Sequence, residues 1–307
     1  MQPLFDALTV LGANIRYEGE PGCFPVTIEP KSAQGASLVQ LSGSQSSQFI
    51  SGLLIASPAL GRPVDITVND GIVQSDYVRI TLDVMAKFGV YVNASPNLDH
   101  FSITPGKYRA TDFAVEADAS TATYFLALSA ATGGVVTLAN LRLGSLQPDI
   151  RFIDVLKCMG CHIEEGSNGV TIKGPPRLHG GFKIDMLAFS DSALTLAALA
   201  PFADAPIEIT GVEHIRTHES DRLKVMTQAL LALGVKVEER VDGLRITPGL
   251  PHLGRVETHD DHRIAMSLAV LGVAGSGIEL IDPGCVSKTC PSFFSDLTRL
   301  GIEVING

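Results

Sequence analysis

Leu233-Gly234-Val235-Lys236-Val237 joins a helix-like stretch, Leu223 to Ala232, to a strand-like one, and it is one of five copies of a single pattern. An apolar residue, a glycine, two further residues and a β-branched residue recur at Leu11-Gly12 to Ile15, Phe88-Gly89 to Val92, Met159-Gly160 to Ile163 and Leu300-Gly301 to Val304. Each copy follows apolar residues spaced at i, i+3, i+4 and i+7, as in Ile80 to Lys87. The glycine reads as a helix C-terminal stop, where a left-handed backbone suits a residue without Cβ. The copies lie about 70 residues apart, which sets the length of the repeating unit.

Each unit holds a second helix richer in small residues: Ser46 to Pro58, Thr121 to Ala131, Asp191 to Phe202 and Asp261 to Val273. All four open with Ser, Thr or Asp at or near the N-cap, so Asp191 is expected to cap its helix. Strands of alternating pattern follow at Val64 to Val68, Val135 to Leu138, Ile207 to Thr210 and Ile278 to Ile281. The expected unit is therefore helix, strand, loop, helix, strand, strand, an α/β arrangement that is not uniformly doubly wound. Against this unit the chain ends after a complete copy and opens inside one, so an N-terminally incomplete first domain is expected, or a degenerate capping unit. The domains are placed at 1–116 and 117–307.

The 307 residues are 45% hydrophobic and 18% charged, which describes a well-buried globular protein of two domains. No apolar run is long enough to cross a bilayer, and the first residues resemble no signal peptide, so a soluble, cytoplasmic protein is expected. The net charge of −10 argues against a nucleic-acid or anionic membrane partner. Five cysteines, an odd number, read as reduced thiols. Cys158 and Cys161 form a C-x-x-C without a second pair, which favours buried or half-buried thiols over a metal site.

Polar clusters stand where a packed repeat has no need of them. Arg216-Thr217-His218-Glu219-Ser220-Asp221-Arg222 precedes a helix and combines anion-binding guanidiniums with an acid/base candidate, unless it is a solvated, self-paired run. Asp260-Asp261-His262-Arg263 opens the next small-residue helix, and Pro283 to Thr289 follows its strand. Arg222, Arg263 and Lys288 thus occupy comparable places, expected near helix N-termini, and suit a small polyanionic substrate. Asp191, if it faces Arg222, is a candidate general base. Ser46-Ser47-Gln48 offers hydroxyl and amide groups for phosphate or hydroxyl recognition.

Taken in order, these blocks resemble the signatures of the 5-enolpyruvylshikimate-3-phosphate (EPSP) synthases. The matching positions are Ser44-x-Ser46-Ser47-Gln48-Phe49, Glu116-x-Asp118-x-Ser120-x-x-x-Tyr124-Phe125, the surroundings of Asp191, Arg216-x-His218-Glu219-Ser220-Asp221-Arg222-Leu223, Asp261-His262-Arg263-x-Ala265-Met266, and Asp282-Pro283-x-Cys285-x-x-Lys288-Thr289-x-Pro291-x-x-Phe294. The resemblance implies a two-domain enolpyruvyl transferase fold of repeated α/β units, an inside-out α/β barrel. It implies transfer of the enolpyruvyl group of phosphoenolpyruvate to the 5-hydroxyl of shikimate 3-phosphate, with release of phosphate and with no metal or organic cofactor.

By the same resemblance, Ser46, Ser47, Gln48, Tyr77, Asp191 and His218, with Gln74 and His214 as weaker sites, hold shikimate 3-phosphate. Gln48, Arg222, Arg263 and Lys288 hold phosphoenolpyruvate, and Asp191, Glu219, Lys288 and His262 carry the proton chemistry. Three departures stand out: His218 replaces a frequent lysine, Gln74 a serine and His214 an asparagine. The family's first signatures, a Lys-Ser pair and a Gly-rich Asn-x-Gly-Thr-x-x-Arg segment, fall before the position of Met1. A fragment completed by a separate N-terminal partner, a non-catalytic remnant, and a UDP-N-acetylglucosamine enolpyruvyl transferase are the alternatives.

Overall fold

A computed structural model describes residues 1–30 and 35–305 of the chain. They form two compact units, Met1–Ala114 and Val115–Gly307. In the first unit the order is α1 (Gln2–Val10), β1 (Ala13–Tyr17), β2 (Val26–Pro30), β3 (Leu38–Gly43), α2 (Ser47–Ala56), β4 (Val64–Ile72), α3 (Asp76–Lys87), β5 (Val92–Ala94) and β6 (His100–Ile103). The second unit begins with α4 (Ala119–Thr132), β7 (Val135–Ala139), α5 (Phe152–Cys158), β8 (His162–Gly166) and β9 (Gly169–Lys173). It continues with β10 (Lys183–Asp185), α6 (Ala193–Leu199), β11 (Ile207–Thr210), α7 (Arg222–Ala232), β12 (Val237–Arg240) and β13 (Gly243–Ile246). Last come β14 (Arg255–Glu257), α8 (His262–Ala274), β15 (Glu279–Ile281) and α9 (Phe293–Arg299).

One wiring accounts for every sheet. In β3-β4-β6-β5 the first two strands are parallel, the second pairs antiparallel with the fourth, and the fourth antiparallel with the third. The sheet β10-β11-β13-β12 repeats this strand for strand. Partial copies are β7-β9-β8, with the last three strands, β14-β15, with the parallel pair, and β1-β2, with the final antiparallel pair. The unit thus opens on a strand that the sequence pattern does not contain. β10 and β14 span three residues each, too few for a period of two to register. β3 does alternate, with Val39 and Leu41 turned inward, but a pattern anchored on helices passes over it.

The stop glycines behave as the sequence indicates: Gly12, Gly89, Gly160, Gly234 and Gly301 have φ of 103°, 83°, 96°, 82° and 86°. The small-residue helices are the central ones. α4, α6 and α8 pack against one another, and all seven residues of α6 are buried, as is the run Ile264–Gly272 of α8. A helix buried on all sides needs no polar face, and small side chains let the three approach closely. Each unit has its own core, around Ile50, Leu53, Ile66 and Phe101 in the first and around Leu126, Phe152, Leu196, Leu230 and Leu268 in the second.

Two expectations need correction, on Asp191 and on Cys158. Asp191 does not cap a helix: it lies inside a 3-10 helix, Leu187–Ser192, kinked at Phe189, and its carboxylate is drawn to two arginines. Asp118 caps α4, accepting from the backbone of Ser120 and Thr121, so Thr121 stands near the cap as expected. Of the paired cysteines only Cys161 is buried; Cys158 ends α5 on its exposed side. Among the described residues no helix is long and apolar enough to cross a membrane.

Candidate functional site

The polar clusters sit at the carboxyl ends of the parallel strand pairs. β10 and β11 run side by side and their ends are joined where the Met186 amide donates to the Thr210 carbonyl at 2.9 Å. Asp191 follows the first of these strands, and His214, His218 and Glu219 follow the second. β14 and β15 repeat the arrangement: Thr258 Oγ1 donates to the Asp282 carbonyl at 3.0 Å, so the turn bearing Asp260 and Asp261 lies against the loop leading to Lys288. Carboxyl ends of parallel strands are where open α/β sheets place ligands, because the loops there converge and their backbone groups are free.

Arg222, the first residue of α7, is the hub. It is only 2% exposed, and all three of its nitrogens donate to protein acceptors. Nε reaches Asp261 Oδ2 at 2.8 Å, Nη1 reaches Asp191 Oδ1 at 3.3 Å and His218 Nδ1 at 3.1 Å, and Nη2 reaches Glu219 Oε2 at 2.7 Å. Three carboxylates around one buried guanidinium is an arrangement that the planar, always-charged fork of arginine supports and an ammonium does not. Asp261 is fully buried; it caps α8 by accepting from the Arg263 amide at 2.9 Å and also accepts from Ser220 Oγ at 2.9 Å. Burial alone raises its pKa, and the bonds from Arg222 more than reverse this, leaving it lowered.

Asp191 is held from two helices. Besides Arg222, Arg263 Nη2 on α8 donates to its Oδ2 at 2.8 Å. Lys288, more than half exposed, makes a short ion pair with Glu219 Oε1. It ends the 3-10 helix Pro283–Lys288, so the expectation of a helix N-terminus does not hold for it. Burial would raise the Glu219 pKa, but the bond from Lys288 and the charge of Arg222 prevail and bring it to about 2. Glu219 is therefore a carboxylate throughout the neutral range. A cavity of about 380 Å³ opens here, lined by Glu219, Asp260, Cys285, Ser287 and Lys288.

The histidines are held neutral. Arg222 can only donate, so His218 Nδ1 accepts and its proton sits on Nε2. His214 Nε2 lies 2.8 Å from Ser190 Oγ, and the two imidazoles meet edge to face at 5.7 Å. Burial lowers the pKa of each, followed by the charge of Arg222 for His218 and of His218 for His214. His262, at the first position of α8, is buried with Nδ1 unpartnered among the described residues, and burial followed by Arg263 lowers its pKa too.

The first unit carries Ser46, Ser47, Gln48, Gln74 and Tyr77 on the equivalent edge of its own parallel pair. Ser46 caps α2 by accepting from the Gln48 amide at 3.2 Å, which leaves Ser47 buried and Gln48 exposed in the first turn. The Val73 amide donates to the Gly43 carbonyl at 3.0 Å, tying the turn with Gln74, at φ 53°, and the start of α3 with Tyr77 to the loop before α2. Gly43 is needed there, because a Cβ would lie 2.1 Å from the Gly71 carbonyl.

Sequence reasoning singles out Arg222, Arg263, Lys288, Glu219, Asp191, His214, His218 and His262, and the second unit brings the first five into one hydrogen-bonded cluster with His218. It assigns no role to Ser220 or Asp149, and to Asp261 only the start of its helix, which it does cap. Asp261 stands inside a quoted block, but its adjacent histidine and arginine draw the attention; only its partner 39 positions earlier reveals it as the counter-charge of Arg222.

The family model for EPSP synthase (3-phosphoshikimate 1-carboxyvinyltransferase) matches residues 1–297. A curated 3-phosphoshikimate 1-carboxyvinyltransferase 2 of Halalkalibacterium halodurans is 49% identical over 306 residues, 99% of this chain and 68% of that protein. The 3-phosphoshikimate 1-carboxyvinyltransferase of Methanosphaerula palustris is 43% identical, covering 97% of this chain and 70% of its own length. Among solved structures, EPSP synthase from Acinetobacter baumannii superimposes with a TM-score of 0.80 at 27% identity, over 97% of this chain and 70% of that one. The enolpyruvyl transferase NikO from Streptomyces tendae, at 18% identity and a TM-score of 0.74 over 98% of this chain and 71% of that one, shares the fold.

Proposed function

Because the chain belongs to the EPSP synthase family, we propose that the cluster of its second unit binds phosphoenolpyruvate and runs the proton transfers of enolpyruvyl transfer to shikimate 3-phosphate. The observation that carries this reading is the convergence of Arg222, Arg263 and Lys288 with Asp191 and Glu219 in one hydrogen-bonded group beside a cavity. Lys288 and Arg263 are the cations with exposed or part-exposed side chains, and they meet the phosphate and carboxylate of phosphoenolpyruvate. Arg222, buried and committed to three carboxylates, contributes field and geometry.

In this reading the 5-hydroxyl of shikimate 3-phosphate attacks C2 of phosphoenolpyruvate while Asp191 takes its proton. Glu219 is already ionised, so the proton for the methylene carbon comes from the Lys288 ammonium, which Glu219 orients. A tetrahedral adduct forms; its C–O bond to phosphate then breaks as the new methyl group returns a proton to the Lys288 amine and the proton held by Asp191 passes to the departing phosphate, restoring the C=CH₂ bond and both side chains and releasing phosphate. Preorganised charges stabilise both the developing cation at C2 and the departing phosphate. Ser46, Ser47, Gln48, Gln74 and Tyr77 in the first unit and His214 and His218 in the second hold shikimate 3-phosphate, and His262 stands beside the cations that hold phosphoenolpyruvate. A division of labour between residues 1–116 and 117–307 belongs to this proposal, as does a cytoplasmic location, which five free thiols support.

The test is phosphate release by the purified chain from the two substrates together, with neither alone giving any. Asp191→Ala and Lys288→Ala are expected to lower turnover by at least about 10²-fold, the range for lost acid–base or charge stabilisation. Near-normal rates in either variant remove the role assigned to that residue.

A further inference from the structure

Behind Asp191 lies a second carboxylate that the reaction as described does not use. We propose that Asp149 is a positioning residue for Asp191, tying the residue after Asp191 to the 3-10 helix Pro148–Arg151 so that the Asp191 carboxylate keeps one direction. The inference rests on the reading of Asp191 given above.

Asp149 sits in the 3-10 helix Pro148–Arg151 and is 2% exposed. Its Oδ2 accepts from Ser120 Oγ at 2.7 Å, and its Oδ1 accepts a short hydrogen bond from Ser192 Oγ. Both serines are buried as well. Burial, and then the charge of Asp191, raises the Asp149 pKa, and Arg263 works against them. An acid is a costly group to bury, and a tether between two hydroxyls alone does not require one. A carboxylate does supply two acceptors in one plane for two hydroxyl donors.

The segment needs such a tether. Leu187–Ser192 is not a regular helix: Phe189, at φ −139° and ψ 48°, interrupts it, and the Ser192 side chain makes no capping bond to α6. From the front, Arg222 and Arg263 pull on the two oxygens of Asp191 from different helices. From behind, the bond between Ser192 and Asp149 resists that pull. Released there, Asp191 follows its arginines, and a displacement of about 1 Å is enough to cost about 10²-fold in rate.

Ser120→Ala and Ser192→Ala each remove one donor to the same buried carboxylate, and Asp149→Asn keeps its shape with one acceptor fewer. In the full chain, Ser192→Ala and Asp149→Asn are expected to lower kcat by about 10- to 100-fold with KM for both substrates within about three-fold. Ser120→Ala is expected to lose a similar amount of Tm while its kcat stays within about two-fold. If the two serine variants lose kcat equally, in step with Tm, or if only KM changes, Asp149 is a packing residue and the proposal falls. Should Asp149→Asn not fold, the serine pair decides by itself. A wild-type chain that releases no phosphate fails both this proposal and the reading of the site, whereas wild-type turnover with matched serine variants fails this one only.

Discussion

At the level of single residues, the charge pattern around Arg222 decides how the molecule answers to pH and to substitution. Removing Arg222 strands Asp261 in a dry setting, and breaking a buried pair of this kind costs about 3–5 kcal/mol. Arg222→Met is therefore expected to show that loss in denaturant unfolding, against a much smaller one for Lys288→Met, whose ammonium is solvent-facing. His214, His218 and His262 all have lowered pKa values, so the unfolded chain binds more protons than the folded one below the ordinary histidine value of about 6.5. Stability is then complete above that pH and declines as pH falls through the lower folded values. Glu219 adds its share only in stronger acid, between the ordinary glutamate value of about 4.3 and its own value of about 2. Unfolding midpoints measured from pH 8 to 5 are expected to fall below about 6.5 in the wild type and to fall less in a His214→Asn, His218→Gln double variant. Equal slopes in the two proteins would contradict this. The residue types of this network are legible in the sequence, since seven consecutive positions from Arg216 crowd charges that a packed core has no use for. Their pairing is not: Arg216 turns away to Asp221, Glu239 and the carbonyls of Arg240 and Val241, while Arg222 reaches residues 31 and 39 positions distant.

Among the elements, the helices and their stops were readable because each rests on local chemistry, and the strands that start the units were not. Gly234 and Gly301 show what the stop contributes. Both have φ above 80°, a region that costs an L-residue about 1–2 kcal/mol. At Gly301 a Cβ meets nothing, whereas at Gly234 it would lie 2.8 Å from Cδ2 of His252. Gly301→Ala is expected to cost about 1 kcal/mol and Gly234→Ala distinctly more, because the imidazole must also move. Equal losses would mean that the backbone alone sets the price. β10 and β14 could not be read in this way, since three residues paired only to a parallel neighbour owe their conformation to β11 and β15 and not to their own sequence. The kinked helix at Asp191 escaped for a related reason. Ser190-Asp191-Ser192 has the composition of a cap, and only the arginines from α7 and α8 turn its carboxylate away from the helix start.

For the whole molecule, a repeat of about 70 residues explains why so much of the site falls into step. Where a unit presents a parallel pair followed by loops, those loops carry polar groups: Ser46 and Gln74 after β3 and β4, Asp191 and His214 after β10 and β11, Asp260 and Lys288 after β14 and β15. The helices α4, α6 and α8 provide the second unit with a core of its own, to which no residue of the first unit's core belongs. Among the described residues every strand pair likewise joins strands of one unit. A unit with a closed core and complete strand pairing holds what it needs for cooperative folding. Residues 115–307 produced alone are therefore expected to unfold in a single transition, and Leu196→Ala, at the fully buried centre of α6, to cost about 2–5 kcal/mol in that fragment. The full chain is expected to lose a similar amount in the same variant, with Ile66→Val in the first unit leaving that transition unmoved. Denaturant titration of the fragment and the full chain reads both quantities. A fragment without a cooperative transition, or one whose Leu196→Ala loss departs widely from that of the full chain, would show that the second core depends on residues 1–114 after all.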